Sequence, residues 1–169
     1  MKSYQAVTYE IDDIGQAVAS LVEQLAKVEL QKNTCGMVFC DYDVDVEELA
    51  TALKRSFDFP IMGLTATGTL LNSGYSEQCI SLLVMTADDC EFSMKMSDDI
   101  ECNEDIENLT ETYKEAKAEL SAKEKLIFLY VPWWPGVSMD AVVETVSDAA
   151  GDVPVFGWIA SDGWSFDDC

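Results

Sequence analysis

The sequence predicts an α/β domain whose sheet contains two strand–helix–strand (βαβ) units and a β-hairpin, with helices packed on the sheet. The main observation is an internal repeat, because PIMGLTATG from Pro60 and PVFGWIASDG from Pro154 share Pro, Gly and Ala at a constant offset of 94 residues. Each copy follows an apolar strand, a loop and an amphipathic helix, so the predicted units span Thr34–Ala66 and Leu126–Ala160. Right-handed crossovers of this kind join parallel strands. The matching spacing favours a duplication within the domain.

Apolar periodicity places the elements of the first half. Residues 4–9 predict a first strand, and Asp12 or Asp13 caps a helix with a period of 3.6 residues. Residues 34–40 predict a buried strand, after which acidic residues begin a second helix. Pro60 ends that helix and begins a strand over residues 61–66. The predicted apolar faces contain Ile14, Ala17, Val18, Leu21, Val22, Leu25 and Val28 in the first helix, and Val46, Leu49, Ala50, Leu53 and Phe57 in the second.

The second half begins with a predicted hairpin. Residues 79–86 form its first strand, residues 87–89 its turn and residues 90–96 the returning strand. The stretch that follows is acidic at its start and basic at its end, which matches the helix dipole and predicts an exposed, charged helix. The remaining predicted elements are a strand at residues 126–131, a helix at residues 138–151 and a strand at residues 154–160.

Composition limits the partners and the chemistry. The chain has 32 Asp+Glu against 10 Lys+Arg, a formal net charge of −22, which repels nucleic acids and anionic membrane surfaces. Six cysteines without a C-x-x-C pair, and no His, argue against a disulfide framework, a zinc site and the commonest haem ligand. The sequence shows no secretory signal and no membrane span, so we expect a cytoplasmic protein without a cofactor or metal. The length fits one domain over residues 1–169.

The strand ends in the two repeats predict a binding site for a small molecule. Gly63 and Gly157 lie inside predicted strands, where glycine usually marks a bulge or a close approach of backbones. The carboxyl ends of parallel strands are where α/β domains bind ligands. The predicted ligand-binding residues are Gly63, Thr65, Thr67, Gly68, Trp133, Trp134, Gly157, Ser161, Asp162 and Gly163.

Each polar residue of this predicted site has an expected role. We expect Thr65, Thr67 and Ser161 to supply hydrogen bonds and Asp162 to bind a cationic group such as an amine. A tryptophan of the loop that contains Trp133 and its neighbour is expected to cover the ligand. The alternative is that these residues form ordinary strand-ending turns and that the tryptophans pack over the rim of the domain.

Several of these stretches resemble the FIST domain family, the intracellular sensory domains of signal-transduction proteins. FPIMGLTATGTL is similar to the family's first Gly-Thr turn, CISLLVMTAD to the long apolar strand after it, and VPVFGWIASDGW to its second marker. IFLYVPWWPGVSMDAVVETV is similar to the segment that precedes that marker in the family. The resemblance covers most of the chain from Thr34 onward, and Leu64 and Trp158 stand where the family has second glycines.

The resemblance implies a cytoplasmic sensory module that binds a small polar ligand, an amino acid or a related metabolite. Such modules act on an output signalling domain or protein. Some members of the family look like haem-based gas sensors, a use that the absence of His makes doubtful here. The resemblance also implies that the chain is the N-terminal part of the family's fold, truncated before a C-terminal domain.

Two other functions stay open. VFCDYDVD places Asp41 and Asp43 after an apolar strand and resembles the nucleophile motif of haloacid-dehalogenase-like phosphatases, which use one Asp as nucleophile, one as acid/base and Mg²⁺. A chain with 32 acidic residues produces this spacing by chance. No convincing phosphate-binding Lys stands at the start of a predicted helix, and we therefore expect no catalysis. The other alternative is a protein-interaction module in which the Trp133–Trp134 loop binds a partner.

Overall fold

The computed structural model describes residues 1–132 and 136–161, and these residues divide into two compact units. The first unit contains residues 1–92 and Ser161, and the second contains residues 93–132 and 136–160. The predicted α/β class is confirmed. The single domain expected over the whole chain stays a prediction. No helix in the described part of the chain is long and apolar enough to cross a membrane.

A four-stranded sheet, two helices and a small hairpin form the first unit. Its elements are β1 (Lys2–Thr8), α1 (Ile14–Leu25), β2 (Asn33–Cys40), α2 (Val46–Ser56), β3 (Ile61–Thr65), β4 (Thr69–Leu71), β5 (Gly74–Ser76) and β6 (Ile80–Ala87). The sheet order is β1-β6-β2-β3. Strand β6 is antiparallel to β1 and β2, and β2 is parallel to β3. The first predicted βαβ unit, β2-α2-β3, is therefore confirmed.

The two helices bury apolar side chains in one core with the sheet. They begin at Asp13 and Asp45, whose carboxylates accept hydrogen bonds of 2.9 Å from the N–H groups of Gln16 and Glu48. Val46, placed on the apolar face by its period, is instead 48% exposed. The buried core consists of Ala6, Ile14, Ala17, Val18, Leu21, Leu25, Cys40, Val44, Leu49, Leu53, Ile80, Leu82 and Val84.

The predicted position of the hairpin is wrong. Residues 90–96 form no strand, because both edges of β6 are already paired. Thr86 of β6, for example, lies between Lys2 of β1 and Thr34 of β2. The hairpin is instead β4–β5, whose turn ends at Gly74 with a φ of 127°, a conformation that glycine adopts without strain.

The second unit contains the second βαβ unit. Its elements are a 3₁₀ helix (Asn103–Glu107), α3 (Asn108–Ala118), β7 (Ile127–Val131), α4 (Met139–Ala150) and β8 (Val155–Ile159). Strands β7 and β8 are parallel and α4 connects them, so this prediction is confirmed as well. Helix α4 ends at Gly151, whose φ is 65°. The buried core of this unit consists of Ile106, Leu109, Val142 and Val146.

The five described cysteines are free thiols, as the sequence predicts. Cys35 and Cys40 are buried in the sheet of the first unit, and burial raises the pKa of both thiols to about 11. A thiol with so high a pKa carries almost no thiolate at neutral pH. Neither side chain is therefore suited to act as a nucleophile.

A buried carboxylate fastens the α3–β7 connection to α3. Glu124 has a side chain that is only 6% exposed, and its Oε1 accepts hydrogen bonds from Lys117 Nζ at 2.8 Å and from the Tyr113 hydroxyl at 2.6 Å. These two hydrogen bonds, the one from Lys117 first, lower the pKa of Glu124 from 4.5 to about 2. The carboxylate therefore favours the folded state when it is charged.

Replacement of Glu124 by an uncharged residue should make the unfolding free energy depend less on pH in the acid range. Because the folded-state pKa of Glu124 is lowered, its contribution is complete above pH 4.5 and is lost as the pH falls toward 2. We expect Glu124→Gln to be less stable than the native protein at pH 6, and we expect this difference in unfolding free energy to shrink as the pH falls from 4.5 to about 2. Urea unfolding from pH 6 to pH 2 measures the difference. Glu144→Gln, on the exposed surface of α4, is the matched control and should differ little at any pH. A Glu124→Gln difference that does not change with pH would contradict the assignment.

Candidate functional site

The two prolines of the repeat have the same backbone role. Pro60 precedes β3, and its carbonyl oxygen accepts a hydrogen bond of 2.9 Å from the N–H of Gly36 in β2. Pro154 precedes β8, and its carbonyl oxygen accepts one of 2.9 Å from the N–H of Ile127 in β7. Each proline therefore marks the first hydrogen bond of a parallel strand pair, at a place where its missing N–H is not needed.

The two alanines mark the last hydrogen bond of each pair. Ala66 donates its N–H to the carbonyl oxygen of Cys40 at 2.8 Å, and Ala160 donates to that of Val131 at 2.8 Å. Pro and Ala thus frame β3 and β8 in the same way. The sequence repeat is a repeat of backbone geometry.

Each of the two glycines lies directly against the backbone of its partner strand. A Cβ atom on Gly63 would lie far inside van der Waals contact with the carbonyl oxygen of Val38. A Cβ atom on Gly157 would meet the carbonyl oxygen of Leu129 in the same way. The sequence-based interpretation of a close backbone approach therefore accounts for both glycines, and the neighbour in each case is the partner strand.

Alanine at either glycine should destabilise the fold. Because the obstacle is a backbone carbonyl that cannot turn away, we expect Gly63→Ala and Gly157→Ala each to cost about 1–3 kcal/mol of unfolding free energy, or more. Gly68→Ala is the control, since its Cβ would meet the outer end of the Tyr75 ring, which can move. Urea unfolding at pH 7 compares the three. Equal losses at Gly63 and Gly68 would contradict the account.

The end of β3 continues into a turn with two hydroxyl side chains. Thr65, Thr67 and Gly68 are half-buried, and neither threonine hydroxyl forms a hydrogen bond with another described residue. The hairpin β4–β5 lies beside this turn, because the hydroxyl of Tyr75 donates to the carbonyl oxygen of Thr67 at 3.5 Å. The turn thus presents two hydroxyls whose hydrogen-bonding capacity is unused among the described residues.

Ser161, near the end of the second copy of the repeat, contacts this turn. Its N–H donates to the carbonyl oxygen of Thr65 at 3.1 Å, and both residues belong to the first unit. Parallel strands hydrogen-bond to one neighbour through alternate residues, and the N–H of Ala66 points to β2. The Thr65 carbonyl therefore points away from β2. One predicted residue from each copy of the repeat is found at this place.

Four predicted site residues lie outside the described residues. They are Trp133, Trp134, Asp162 and Gly163. Their expected roles as an aromatic cover and as a partner for a cation stay predictions, as does the expected role of the Trp133–Trp134 loop in binding a protein.

Trp158, which stands where the family pattern has a glycine, belongs to a cluster of aromatic rings in the second unit. Its ring centroid lies 5.8 Å from that of Phe128, 5.3 Å from that of Tyr130 and 5.6 Å from that of Phe156. Tyr130 pairs with Trp158 and Phe128 with Phe156 across β7 and β8. Side chains opposite each other lie on one face of the sheet, so this face is aromatic.

Among the described residues of the first unit, Asp41 is the one acidic residue that is buried. It is 4% exposed, and its Oδ1 accepts a hydrogen bond of 3.0 Å from the N–H of Asp43. The sequence suggested Asp41 only as a phosphatase nucleophile, and nothing in the local pattern of alternating acids distinguishes a buried Asp from an exposed one. No three His, Cys, Asp or Glu side chains within residues 1–132 and 136–161 are close enough together to hold a metal ion.

Two concavities of the first unit lie away from the predicted residues. A groove of about 490 Å³ separates α1 from α2 and is lined by residues that include Val18, Val22 and Arg55. A recess of about 210 Å³ lies between Gln5 of β1 and Asn72 of the hairpin. Neither is lined by a residue of the turn after β3 or by Ser161, so the candidate site is identified by its hydrogen-bonding groups and not by a cavity.

One comparison with known proteins identifies a relationship. The family model of the FIST N domain matches residues 34–169, which is more than half of the chain. The match begins in β2 and includes both copies of the repeat. Searches of the curated proteins and of the solved structures gave no match.

Proposed function

Since this chain belongs to the FIST N domain family, whose members are sensory domains of signal transduction, we propose that it is a cytoplasmic sensor of a small polar ligand. The ligand class that we propose is an amino acid or a related metabolite. We further propose that binding acts on an output signalling domain or protein. The ligand would bind in the first unit, at the turn Thr65–Gly68 and at Ser161.

The observation that carries this proposal is the hydrogen bond from the N–H of Ser161 to the carbonyl oxygen of Thr65, at 3.1 Å. It holds Ser161 against the turn that ends β3, and both residues belong to the first unit. Ligands of α/β proteins bind beyond the carboxyl ends of strands, where loops supply unpaired polar groups. Ser161 adds its own polar groups to those of the turn.

The chemistry of the turn suits a polar ligand of small size. The hydroxyls of Thr65 and Thr67 can each donate one hydrogen bond and accept others, and both are half-buried. Water competes less for a half-buried hydroxyl than for an exposed one, so a hydrogen bond from this hydroxyl to a ligand contributes more to the free energy of binding. The Tyr75 ring against Gly68 adds an apolar surface at the edge of the turn.

A thermal-shift panel tests the proposal. The full chain is unfolded by heat in the presence of the twenty common amino acids, putrescine and spermidine, and Mg²⁺ with a phosphate mimic. A ligand at 100 times its Kd should raise the unfolding free energy by about 2.7 kcal/mol, a shift of several degrees. No shift with any amino acid or amine would contradict the proposal. A shift with Mg²⁺ and phosphate mimic alone would favour the phosphatase alternative at Asp41.

The position of the site is tested by an isosteric pair of variants. Thr67→Val removes one hydroxyl and keeps the shape of the side chain, so the Kd of the ligand found in the panel should rise roughly three- to tenfold, as for one lost neutral hydrogen bond. Thr51→Val makes the same change on the exposed surface of α2 and should leave the Kd unchanged. Isothermal titration measures both. Equal effects of the two substitutions would show that the ligand binds elsewhere.

A further inference from the structure

The groove between α1 and α2 in the first unit has an apolar floor and walls of small side chains. Its volume is about 490 Å³, and on its floor Val18 is buried and Val22 is half-buried. The small residues that line it are Gly15, Ala19, Ala52 and Ser56. The distance between packed helices depends on the side chains at their contact, so small residues let a further helix approach closely. The groove therefore fits a helix.

Helix α1 has almost no charge on its outer surface. Glu23 is the one charged residue among the 12 of α1, in a chain of which 25% is charged. A helix that faces only water normally carries many charged residues opposite its apolar stripe. The surface of α1 therefore lacks the dense charge that keeps copies of so acidic a chain apart. The exposed residues of α1 are Gly15, Gln16, Ala19, Glu23 and Gln24.

One carboxylate and one guanidinium line the groove, and neither has an opposite charge beside it. They belong to Glu23 of α1 and to Arg55 of α2, which is the single arginine of the chain. Among the described residues, neither side chain forms an ion pair. The groove thus offers one charge of each sign to whatever covers it.

Both charges lie toward the same end of the groove. Strands β1 and β2 are both antiparallel to β6, so they run in one direction. Each helix returns the chain against the direction of the strand before it, so α1 and α2 are parallel to each other. Glu23 lies two residues before the end of α1, and Arg55 lies one residue before the end of α2.

We propose that this surface binds a second copy of the chain in a symmetric dimer, with a two-fold axis along the helices and α1 of each copy packed against α2 of the other. In such a dimer the same surface meets itself, so a charge pair across it requires both partners on each copy. The groove meets this requirement, because Glu23 of each copy lies at the level of Arg55 of the other. The net charge of −22 opposes association, but salt at about 0.15 M screens it beyond roughly 8 Å. The dimer does not depend on the ligand proposed above.

Sedimentation equilibrium of the unaltered full chain at about 150 mM salt tests whether the dimer forms. We expect a species of twice the chain mass, with a Kd below roughly 0.1 mM. A chain that stays monomeric at this concentration would overturn the proposal.

A matched pair of variants tests the surface. Ala19→Gln fills the groove with a longer, uncharged side chain and should weaken the dimer at least tenfold, as expected for overpacking of a close helix contact. Ala50→Gln makes the same change at an exposed residue of α2 outside the groove and should leave the Kd unchanged. Equal effects of the two substitutions would show that the copies meet elsewhere and would overturn the proposal. Circular dichroism confirms that each variant is folded.

An exchange of charges tests how the copies are arranged. Glu23→Arg places two cations opposite each other and Arg55→Glu two anions, so each variant alone should dimerise at least tenfold more weakly than the native chain. An equal mixture of these two variants should form a dimer about as tight as the native one, because each cation again meets an anion. Glu29→Arg and Lys54→Glu make the same changes of charge at exposed positions outside the groove and should each dimerise like the native chain. A mixture that stays monomeric, or equal weakening by the controls, would overturn the arrangement.

Discussion

The pairing of β6 on both of its edges determines the organisation of the first unit. Residues 80–86 of β6 pair with β1 on one side and with β2 on the other, and the inward side chains Ile80, Leu82 and Val84 are fully buried. Because both neighbours are antiparallel to it, β1 and β2 must point the same way, and the crossover through α2 adds β3 in that direction. This constraint places the acidic β1–α1 and β2–α2 loops at the same edge of the sheet as the turn after β3.

Much of the fold could be predicted from local signals. The repeat was informative because Pro, Gly and Ala each have a fixed backbone role, and a role that recurs twice at one spacing is hard to produce by chance. The helices were predictable from apolar period and from the caps at Asp13 and Asp45. The hairpin was not predictable, since residues 90–96 alternate like a strand and only the distant pairing of β1 leaves them without a partner.

The candidate site was only partly predictable. The sequence could indicate that Gly63 and Gly157 mark a close approach, but it could not say to what. The structure supplies the neighbour, a carbonyl oxygen of the partner strand in both copies, which accounts for the two glycines without a ligand. The burial of Asp41 was also beyond the sequence, because exposure depends on how three strand ends meet. Thr65 and Thr67, named from the sequence, are half-buried in the turn after β3, and their role in binding stays a prediction.

The acidic residues that follow β1 and β2 have a cause that is independent of any ligand, and Asp41 is the residue that this cause does not explain. In a βαβ unit each helix begins where a strand ends, so acids that complement the helix N-terminus collect at the carboxyl ends of the strands, and bases favour the last turn of the helix. Asp45, Glu47 and Glu48 at the start of α2, with Lys54 and Arg55 at its end, follow this rule. Asp41 neither caps nor lies on a helix, and it is buried instead of exposed. Helix electrostatics thus produce these acidic strand ends for structural reasons, while the burial of Asp41 comes from the strand ends that meet around it.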